Sequence, residues 1–268
     1  MKPILKYKSI FISDIHLGTK GCQADKLLEF FKYSRSEKLY LVGDIIDVWA
    51  LKKNFYWPQQ HNDVVQKILR KARHGTKVFY IIGNHDEIFR KFIPMFFGDI
   101  KILNRIVHKS ILGKNYLVVH GDAWDGVMKY AKWLSKIGSI AYGILLKLNN
   151  LVNFFRKLNG KEYWSLAKYL KYKVKNAVKY IGDYEKTLSH YAKKKKFDGI
   201  ICGHIHHAED RDFNGINYLN CGDWVESCTA VVEKFDGTFE ILSWNNIKHK
   251  FIEKNSTSIE KIKFQKAS

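Results

Sequence analysis

The sequence predicts an α/β fold in which parallel strands carry polar residues at their carboxyl ends. The first observation is a set of five short apolar runs, each followed at once by Asp, Asn or His. Runs of this kind, rich in β-branched residues, are typical of strands buried on both faces. These runs and the polar residues after them occupy residues 9–16, 40–47, 77–86, 116–122 and 199–206. The second observation is that helical patterns separate the first three runs, and a strand–helix–strand alternation predicts parallel pairing.

Apolar spacing and breaker residues delimit the elements of the first part of the chain. We expect strands over residues 7–13, 39–43 and 77–82, and helices over residues 25–31 and 62–73. Asn62 is a good N-cap for the second helix, and Gly75 ends it. The aromatic segment 49–58 is interpreted as an irregular loop, because Pro58 stops a helix. This loop either lines a pocket or packs on the surface.

The middle of the chain has a different pattern. Apolar positions recur with helical spacing between residues 127 and 181, and the strand pattern resumes only at Phe197. We therefore expect a core of residues 1–124 and 197–250, a helical insertion of residues 125–196 and a basic tail of residues 251–268. The insertion is either a lid with an apolar, basic-rimmed groove or a helical hairpin packed on the core. Its lysines and asparagines exclude a membrane span, whereas its aromatic residues beside lysines suit a membrane interface. Residues 216–244 are expected to form antiparallel strands, with a hairpin turn at Asp236-Gly237.

Composition limits the class of protein and its partners. A chain of 268 residues can bury a core without disulfides, and its four cysteines contain no Cys-x-x-Cys pair. Together with the lack of a signal-peptide pattern, this favours a reduced, cytoplasmic protein. The 46 Lys and Arg against 26 Asp and Glu give a net charge of +20. Such a charge indicates an anionic partner: nucleic acid, an anionic membrane surface or a phosphorylated substrate.

The polar residues at the five strand ends are of the types that ligate metals. A single Asp-x-His or Gly-Asp is more often a turn than a ligand pair, but five such sites in order are difficult to explain as turns. Since strands of an α/β sheet bring their carboxyl ends to one edge, we expect these side chains to lie together. Carboxylate, amide and imidazole ligands together suit two adjacent divalent cations such as Mn, Fe or Zn.

The five motifs resemble those of the calcineurin-like metallophosphoesterase superfamily. They are Asp14-x-His16, Gly43-Asp44-x-x-Asp47, Gly83-Asn84-His85-Asp86, His120-Gly121-Asp122 and Gly203-His204-x-His206. The resemblance implies a four-layer α/β/β/α sandwich of two mixed sheets with the helical insertion inside it. It also implies a dinuclear metal-dependent phosphoesterase in which Mn is favoured, with Fe, Zn or Mg as alternatives.

The resemblance further assigns roles to particular residues. The first metal would be held by Asp14, His16, Asp44 and His206, and the second by Asp44, Asn84, His120 and His204, so that Asp44 bridges the two. The catalytic residues would be His85, which contacts the phosphoryl group or protonates the leaving oxygen, and Asp47, which orients His85. Asp122 and Asp223 are either partners of the ligating imidazoles or turn residues. The other six histidines are interpreted as non-ligands: His61, His74, His108, His190, His207 and His249.

Other segments of the sequence are similar to one branch of this superfamily, the UDP-2,3-diacylglucosamine pyrophosphatases. The similarity rests on Val48-Trp49, the segment 56–59, Glu87 and the segment 220–227. It implies hydrolysis of a nucleotide-linked lipid to UMP and a lipid monophosphate in lipid A biosynthesis. It also implies peripheral contact with an anionic membrane, at the cytosolic face of the inner membrane. The chain departs from that branch at His85, where Arg is usual, and at Ile205, where Thr is common.

Two other functions are compatible with the same motifs. One is a phosphodiesterase or nuclease acting on another phosphodiester; the net charge favours it. Binding of nucleic acid is nevertheless less favoured, because the lysines concentrate on amphipathic helices and no nucleic-acid-binding motif is present. The other is a non-catalytic scaffold, which would have no need for a complete ligand set. The sequence leaves the oligomeric state open.

Overall fold

The structure is a computed structural model that describes residues 4–127, 181 and 183–248. The chain divides into two compact units, one made of residues 1–122 and 189–268 and the other of residues 123–188. The predicted helical insertion and basic tail lie largely outside the described residues. Within the described part, no helix has the length and apolar character needed to cross a membrane.

Twelve strands are described, all in the first unit. They are β1 Leu5–Ile12, β2 Ser34–Val42, β3 Lys77–Ile81, β4 Met95–Phe97, β5 Ile100–Leu103, β6 Arg105–Lys109, β7 Asn115–Val119, β8 Gly199–Cys202, β9 Glu209–Phe213, β10 Ile216–Asn220, β11 Thr229–Glu233 and β12 Phe239–Ser243. They form a seven-stranded sheet in the order β12-β11-β1-β2-β3-β5-β4 and a five-stranded sheet in the order β6-β7-β8-β10-β9.

Both sheets are mixed. In the first, β1, β2, β3 and β5 are parallel neighbours, while β4, β11 and β12 pair antiparallel. In the second, β7, β8 and β10 are parallel, and β6 and β9 pair antiparallel at the two edges. The predicted β11–β12 hairpin is confirmed. Residues 216–220 form β10, which pairs antiparallel with β9, as predicted, but parallel with β8 on its other side, which the prediction missed. The hairpin between β9 and β10 reverses the chain direction and makes β10 parallel to β8.

The helices of the first part are α1 Ala24–Tyr33, α2 Val48–Lys53 and α3 Gln59–Arg73; residues 183–194 are also helical. The prediction of an irregular segment over residues 49–58 is wrong for its first half. There α2 forms because Asp47 Oδ1 accepts a hydrogen bond from Ala50 N at 2.7 Å and caps its first turn. Helix α3 begins before Asn62, directly after Pro58. A proline is tolerated at that boundary because the backbone N–H groups at the start of a helix have no acceptor within the helix, so a missing N–H costs no hydrogen bond.

Strand periodicity builds the layers. In β1, Ile10 and Ile12 join the apolar cluster that includes residues of α1 and α3, whereas Phe11 between them joins a second cluster. That second cluster contains Tyr40 of the first sheet and Val118 and Ile201 of the second, so it fills the space between the sheets. This alternation of side chains along a strand confirms the predicted α/β sandwich with two sheets and covering helices.

A buried hydrogen-bond network also joins the two sheets. Glu233 of β11 accepts hydrogen bonds from Ser9 at 2.8 Å and from His108 of β6 at 3.0 Å. Tyr40 of β2 donates to the other ring nitrogen of His108 at 2.9 Å. Because a half-satisfied buried network is costly, these contacts fix the relative position of the sheets, and with it the two halves of the site described next.

Candidate metal centre

The loops that follow β1, β2, β3, β7 and β8 carry the predicted site residues. The loops after β1 and β2 interlock, since Asp14 N donates to Gly43 O at 3.1 Å and His16 N to Asp44 O at 2.9 Å. The loop after β7 meets that after β8, where Gly203 N donates to His120 O at 3.1 Å. Two different sheets therefore deliver their carboxyl ends to one place.

The backbone of these loops is unusual. The residues Asp14, His16, Asp44, His204 and His206 have positive φ angles of 52°, 54°, 54°, 73° and 55°. Residues other than glycine seldom adopt this left-handed backbone conformation, and each residue held in it carries conformational strain of about 1–3 kcal/mol. Strain concentrated on five predicted ligands indicates that the fold holds these side chains in place for a function.

The first group of candidate ligands consists of Asp14, His16 and His206. Their ligand atoms all lie within 4.8 Å of one another. Asp14 Oδ1 is 3.2 Å from His206 Nε2 and 3.7 Å from His16 Nε2. Two ligand atoms that each lie about 2.0–2.2 Å from one ion are separated from each other by distances similar to those observed here. The group can therefore hold a cation.

The second group consists of Asp44, His120 and His204, again within 4.8 Å. All three are almost completely buried, and Asp44 Oδ2 is 3.2 Å from His120 Nε2. The same Oδ2 atom is 4.0 Å from His16 Nε2 of the first group. Asp44 therefore lies between the groups, where one carboxylate can serve both.

Hydrogen bonds orient the imidazoles. His120 Nδ1 donates to Val42 O at 2.9 Å, and His16 Nδ1 lies 3.0 Å from Asp47 Oδ2. A carbonyl or carboxylate oxygen accepts the Nδ1 proton, so each ring presents Nε2 to the centre as a ligand atom.

The charges of the centre also favour cations. Burial alone would raise the pKa of the Asp44 carboxyl, but the imidazole of His120 outweighs it and lowers the pKa to about 2. Asp14 is likewise held well below its usual pKa against the effect of burial, chiefly by His120 and His206. Two buried carboxylates are thus ionised at neutral pH in one small volume.

Several buried polar atoms have no hydrogen-bond partner among the residues that the structure describes. Among them are Asp14 Oδ1, His16 Nε2, Asn84 Oδ1 and His120 Nε2. Buried polar atoms in proteins are nearly always satisfied. Four exceptions in one place, all of them candidate ligand atoms, mean that the residues present fit a pair of metal ions.

Asp47 and His85 adjoin the metal ligands. Asp47 Oδ2 lies 2.9 Å from His85 Nδ1 as well as 3.0 Å from His16 Nδ1, so one carboxylate contacts both rings. His85 Nε2 is 3.9 Å from Asp44 Oδ2, and its ring packs against Trp49 at a centroid distance of 4.4 Å. His85 is partly exposed, so its Nε2 can reach both the centre and a bound substrate.

Sequence reasoning missed two residues that hold the loops. Asp86 accepts hydrogen bonds from Gly83 N at 2.6 Å, Ile45 N at 2.9 Å and Tyr80 Oη at 2.6 Å. Asn220 donates to Gly203 O at 2.9 Å. Asp86 stands inside a motif that sequence analysis had singled out, but only coordinates reveal that its carboxylate joins two loops.

The remaining acidic and histidine residues divide clearly. Asp223 Oδ1 accepts hydrogen bonds from three successive backbone amides after it, which makes it a turn residue. Asp122 Oδ2 pairs with Arg90 at 2.7 Å. Three groups of potential ligands are found in the described part of the chain, the third being His16, Asp47 and His85. They contain none of His61, His74, His108, His190 and His207. His249 lies outside the described residues.

Gly203 tests how tightly the loop after β8 fits. A Cβ there would overlap Ser13 Oγ and Asp14 Oδ2, so we expect Gly203→Ala to lower the free energy of unfolding by about 1–3 kcal/mol, as overpacking does. Urea denaturation of the purified variant measures this. Gly21→Ala is the matched control: Gly21 is exposed, and a Cβ there would meet the side chains of Val225 at 3.1 Å and Thr19 at 3.9 Å. An equal effect of both substitutions would contradict the tight fit.

The candidate site lies within the part of the chain that matches a known protein family. A model of the family described as calcineurin-like phosphoesterase matches residues 7–208, which include every candidate ligand. The chain belongs to the calcineurin-like phosphoesterase family. The resemblance inferred from the five motifs is thereby confirmed, as is the predicted fold class.

Individual relatives of this chain share less than 30% sequence identity with it. The UDP-2,3-diacylglucosamine hydrolase of Blochmanniella pennsylvanica is 28% identical over 116 residues, which cover 42% of this chain and 46% of that protein. That of Shewanella sp. (strain MR-7) is 22% identical over 242 residues, 86% and 95% of the two chains. The DNA polymerase II small subunit of Thermoplasma acidophilum is 24% identical over 243 residues, 80% and 44%. The chain spans about half the length of most of the curated relatives it matches.

Solved structures are similar only at a low level. The E. coli phosphoesterase Yfce has 13% sequence identity and a TM-score of 0.41, with 88% of this chain and 98% of that chain covered. A similarity of this size supports no argument about the site.

Proposed function

We propose that this protein is a dinuclear metal-dependent hydrolase that cleaves the pyrophosphate of UDP-2,3-diacylglucosamine to UMP and a lipid monophosphate. The observation that carries the proposal is the position of Asp44 between two groups of buried ligands, with Oδ2 3.2 Å from His120 Nε2 and 4.0 Å from His16 Nε2. Two ions that share a carboxylate are typical of enzymes that displace an oxygen at phosphorus.

The ligands would be distributed as the motifs imply. Asp14, His16, Asp44 and His206 would hold one cation, and Asp44, Asn84, His120 and His204 the other. When bound, two divalent cations, with Mn²⁺ favoured, would supply Lewis acidity toward the phosphoryl oxygens and lower the pKa of water to near neutrality.

His85 would act on the leaving oxygen. Its Nδ1 contacts Asp47 at 2.9 Å, which holds the ring with Nε2 toward the centre. In this orientation Nε2 would donate a proton to the leaving oxygen while a water oxygen bonds to the phosphorus and the P–O bond to the leaving group breaks. Asp47 would keep the ring in this orientation. Asp47 also contacts His16, so it acts as a positioning residue for a ligand and for the proton donor at once.

The choice of substrate rests on the relatives and on sequence. Several relatives bear the name UDP-2,3-diacylglucosamine hydrolase, and the segment 220–227 and Trp49 resemble that branch. The net charge of +20 suits a phosphorylated, anionic substrate. All four cysteines are free thiols, as is usual for proteins of a reducing compartment such as the cytoplasm. The proposed location at the cytosolic face of the inner membrane rests on the resemblance to that branch.

Hydrolysis of UDP-2,3-diacylglucosamine by the purified, Mn-loaded protein tests the proposal, with bis-p-nitrophenyl phosphate as a generic diester. We expect UMP to be released, with a kcat/KM for UDP-2,3-diacylglucosamine that is higher than the kcat/KM for the generic diester. Turnover of bis-p-nitrophenyl phosphate without UMP release would reject the substrate and keep the chemistry. Absence of both reactions in metal-loaded protein would reject the hydrolase and favour a scaffold.

A second candidate, a phosphodiesterase or nuclease acting on nucleic acid, is favoured by the net charge and by the similarity to a DNA polymerase II small subunit. Cleavage of single- or double-stranded DNA or RNA, with affinity that falls steeply as salt rises, would support it over the lipid substrate.

A further inference from the structure

An exposed aromatic cluster lies at one edge of the first sheet. Phe92, Phe96 and Phe97 are 59%, 65% and 54% exposed, and they fall within six successive residues. Single exposed apolar side chains are ordinary, but three neighbouring phenylalanines indicate an interaction surface. We call these three residues the aromatic edge.

Two residues of the aromatic edge, Phe96 and Phe97, belong to β4, and Phe92 ends the short 3-10 helix Glu87–Phe92 before it. Strand β4 is the last strand of the seven-stranded sheet and pairs on one side with β5. Proteins usually protect such edges with charged residues, because exposed apolar edges aggregate. Here Phe96 lies opposite Lys101 and Phe97 opposite Ile100, so the two phenylalanines are on opposite faces of the sheet. The edge is thus apolar on both faces.

An apolar cavity lies behind this edge. Phe97 and Met95 line it, together with Leu69 of α3 and Ile102 of β5, and its volume is about 280 Å³. A dry cavity of about 150 Å³ already suffices to bind benzene. The space beside Phe97 can therefore receive part of a hydrocarbon chain.

Cations surround the edge. Arg70 and Arg73 of α3 line a groove with Gly98 and Asp99, directly after Phe97 in the chain, and Lys91 and Lys101 flank the phenylalanines on the exposed surface. No ion pair joins any of these four cations to another described residue. Asp99 is the acidic residue in the groove. An excess of unpaired positive charge thus borders an apolar surface.

We propose that the aromatic edge docks the protein onto an anionic lipid bilayer. Aromatic side chains enter the boundary between headgroups and acyl chains, and neighbouring Lys and Arg contact anionic headgroups. A second copy of the chain is a poorer occupant, since two copies would bring like charges together from chains with a net charge of +20. Docking here does not depend on which phosphoester is cleaved.

Co-sedimentation with vesicles of phosphatidylcholine, with and without phosphatidylglycerol, tests the proposal. We expect the full-length protein to bind the anionic vesicles preferentially. The triple variant Phe92→Ser, Phe96→Ser, Phe97→Ser should bind them at least about tenfold less, given the apolar area it removes. Phe235→Ser is the matched control, since Phe235 is 51% exposed in the turn between β11 and β12, and it should bind as the unchanged protein does.

Further measurements make the test decisive. Phe96→Ser alone, which removes a side chain that does not line the cavity, should weaken binding by a smaller factor if the triple variant fails to fold. Lys91→Gln with Lys101→Gln should reduce the preference for phosphatidylglycerol. Turnover of bis-p-nitrophenyl phosphate should be unchanged in all these variants, which separates docking from catalysis. Undiminished vesicle binding by the phenylalanine variants, or a change in oligomeric mass instead of vesicle binding, would overturn the proposal.

Discussion

Substitution of Asp44 by alanine is expected to reduce hydrolysis at least about 10³-fold and to remove bound metal. The reason is geometric: Asp44 Oδ2 is the atom that lies near both groups of ligands, 3.2 Å from His120 Nε2 and 4.0 Å from His16 Nε2. If Asp44 is the shared ligand that we propose, its loss would remove a ligand from each ion, and electrostatic stabilisation by metal ions is among the largest contributions to phosphoryl chemistry. Turnover of bis-p-nitrophenyl phosphate and elemental analysis of the same preparation measure both effects.

The control is Asp25→Ala, an exposed carboxylate in the first turn of α1. We expect it to keep full metal content and turnover within about twofold, as is usual for surface positions. Far-ultraviolet circular dichroism of both variants shows whether the fold is retained. Full turnover by a folded Asp44→Ala protein would be incompatible with a shared ligand at this position.

Replacement of His85 by alanine is expected to lower kcat by about 10²–10⁴-fold while both metal ions stay bound. His85 Nε2 lies 3.9 Å from Asp44 Oδ2, and the ring is held by Asp47 at 2.9 Å. His85 therefore lies beside the candidate ligands, but it belongs neither to the group of Asp14, His16 and His206 nor to that of Asp44, His120 and His204. Metal analysis and steady-state kinetics of the variant check the two halves of this expectation.

The dependence on the leaving group identifies the role of His85. A proton donor matters more for a poor leaving group, so the loss should be larger for phenyl than for p-nitrophenyl phosphodiesters. His207→Ala is the matched control, because this neighbouring histidine is exposed and its Nε2 lies 3.4 Å from Glu209. Near-normal turnover of His85→Ala on both diesters would remove His85 from the mechanism.

Sequence alone predicts the strands that lead to the site and the side chains that follow them. Strands β1, β2, β3, β7 and β8 each end in a continuous apolar run, and the buried end of a strand leaves that signature because both of its faces are covered. Their loops end in ligand-type residues at fixed spacings, so the candidate site could be named before its geometry was known.

The structure adds what local patterns do not encode. Strands β4, β6 and β9 were not predicted for two reasons. Strand β4 has only three residues, too few to show a pattern, and β6 and β9 consist mainly of polar and charged residues, which do not distinguish them from loops. The prediction missed helix α2 because it extended the effect of Pro58 over the whole segment 49–58, whereas α2 ends at Lys53, before the proline. The positive φ angles of the ligands and the bonds made by Asp86 arise from tertiary packing, which no window of sequence contains.

The most direct test of the central claim is anomalous diffraction, at the Mn absorption edge, from crystals grown with Mn²⁺. We expect two peaks per chain, one among Asp14, His16 and His206 and the other among Asn84, His120 and His204, with Asp44 between them. A single peak, or two peaks that do not share Asp44, would contradict a dinuclear centre.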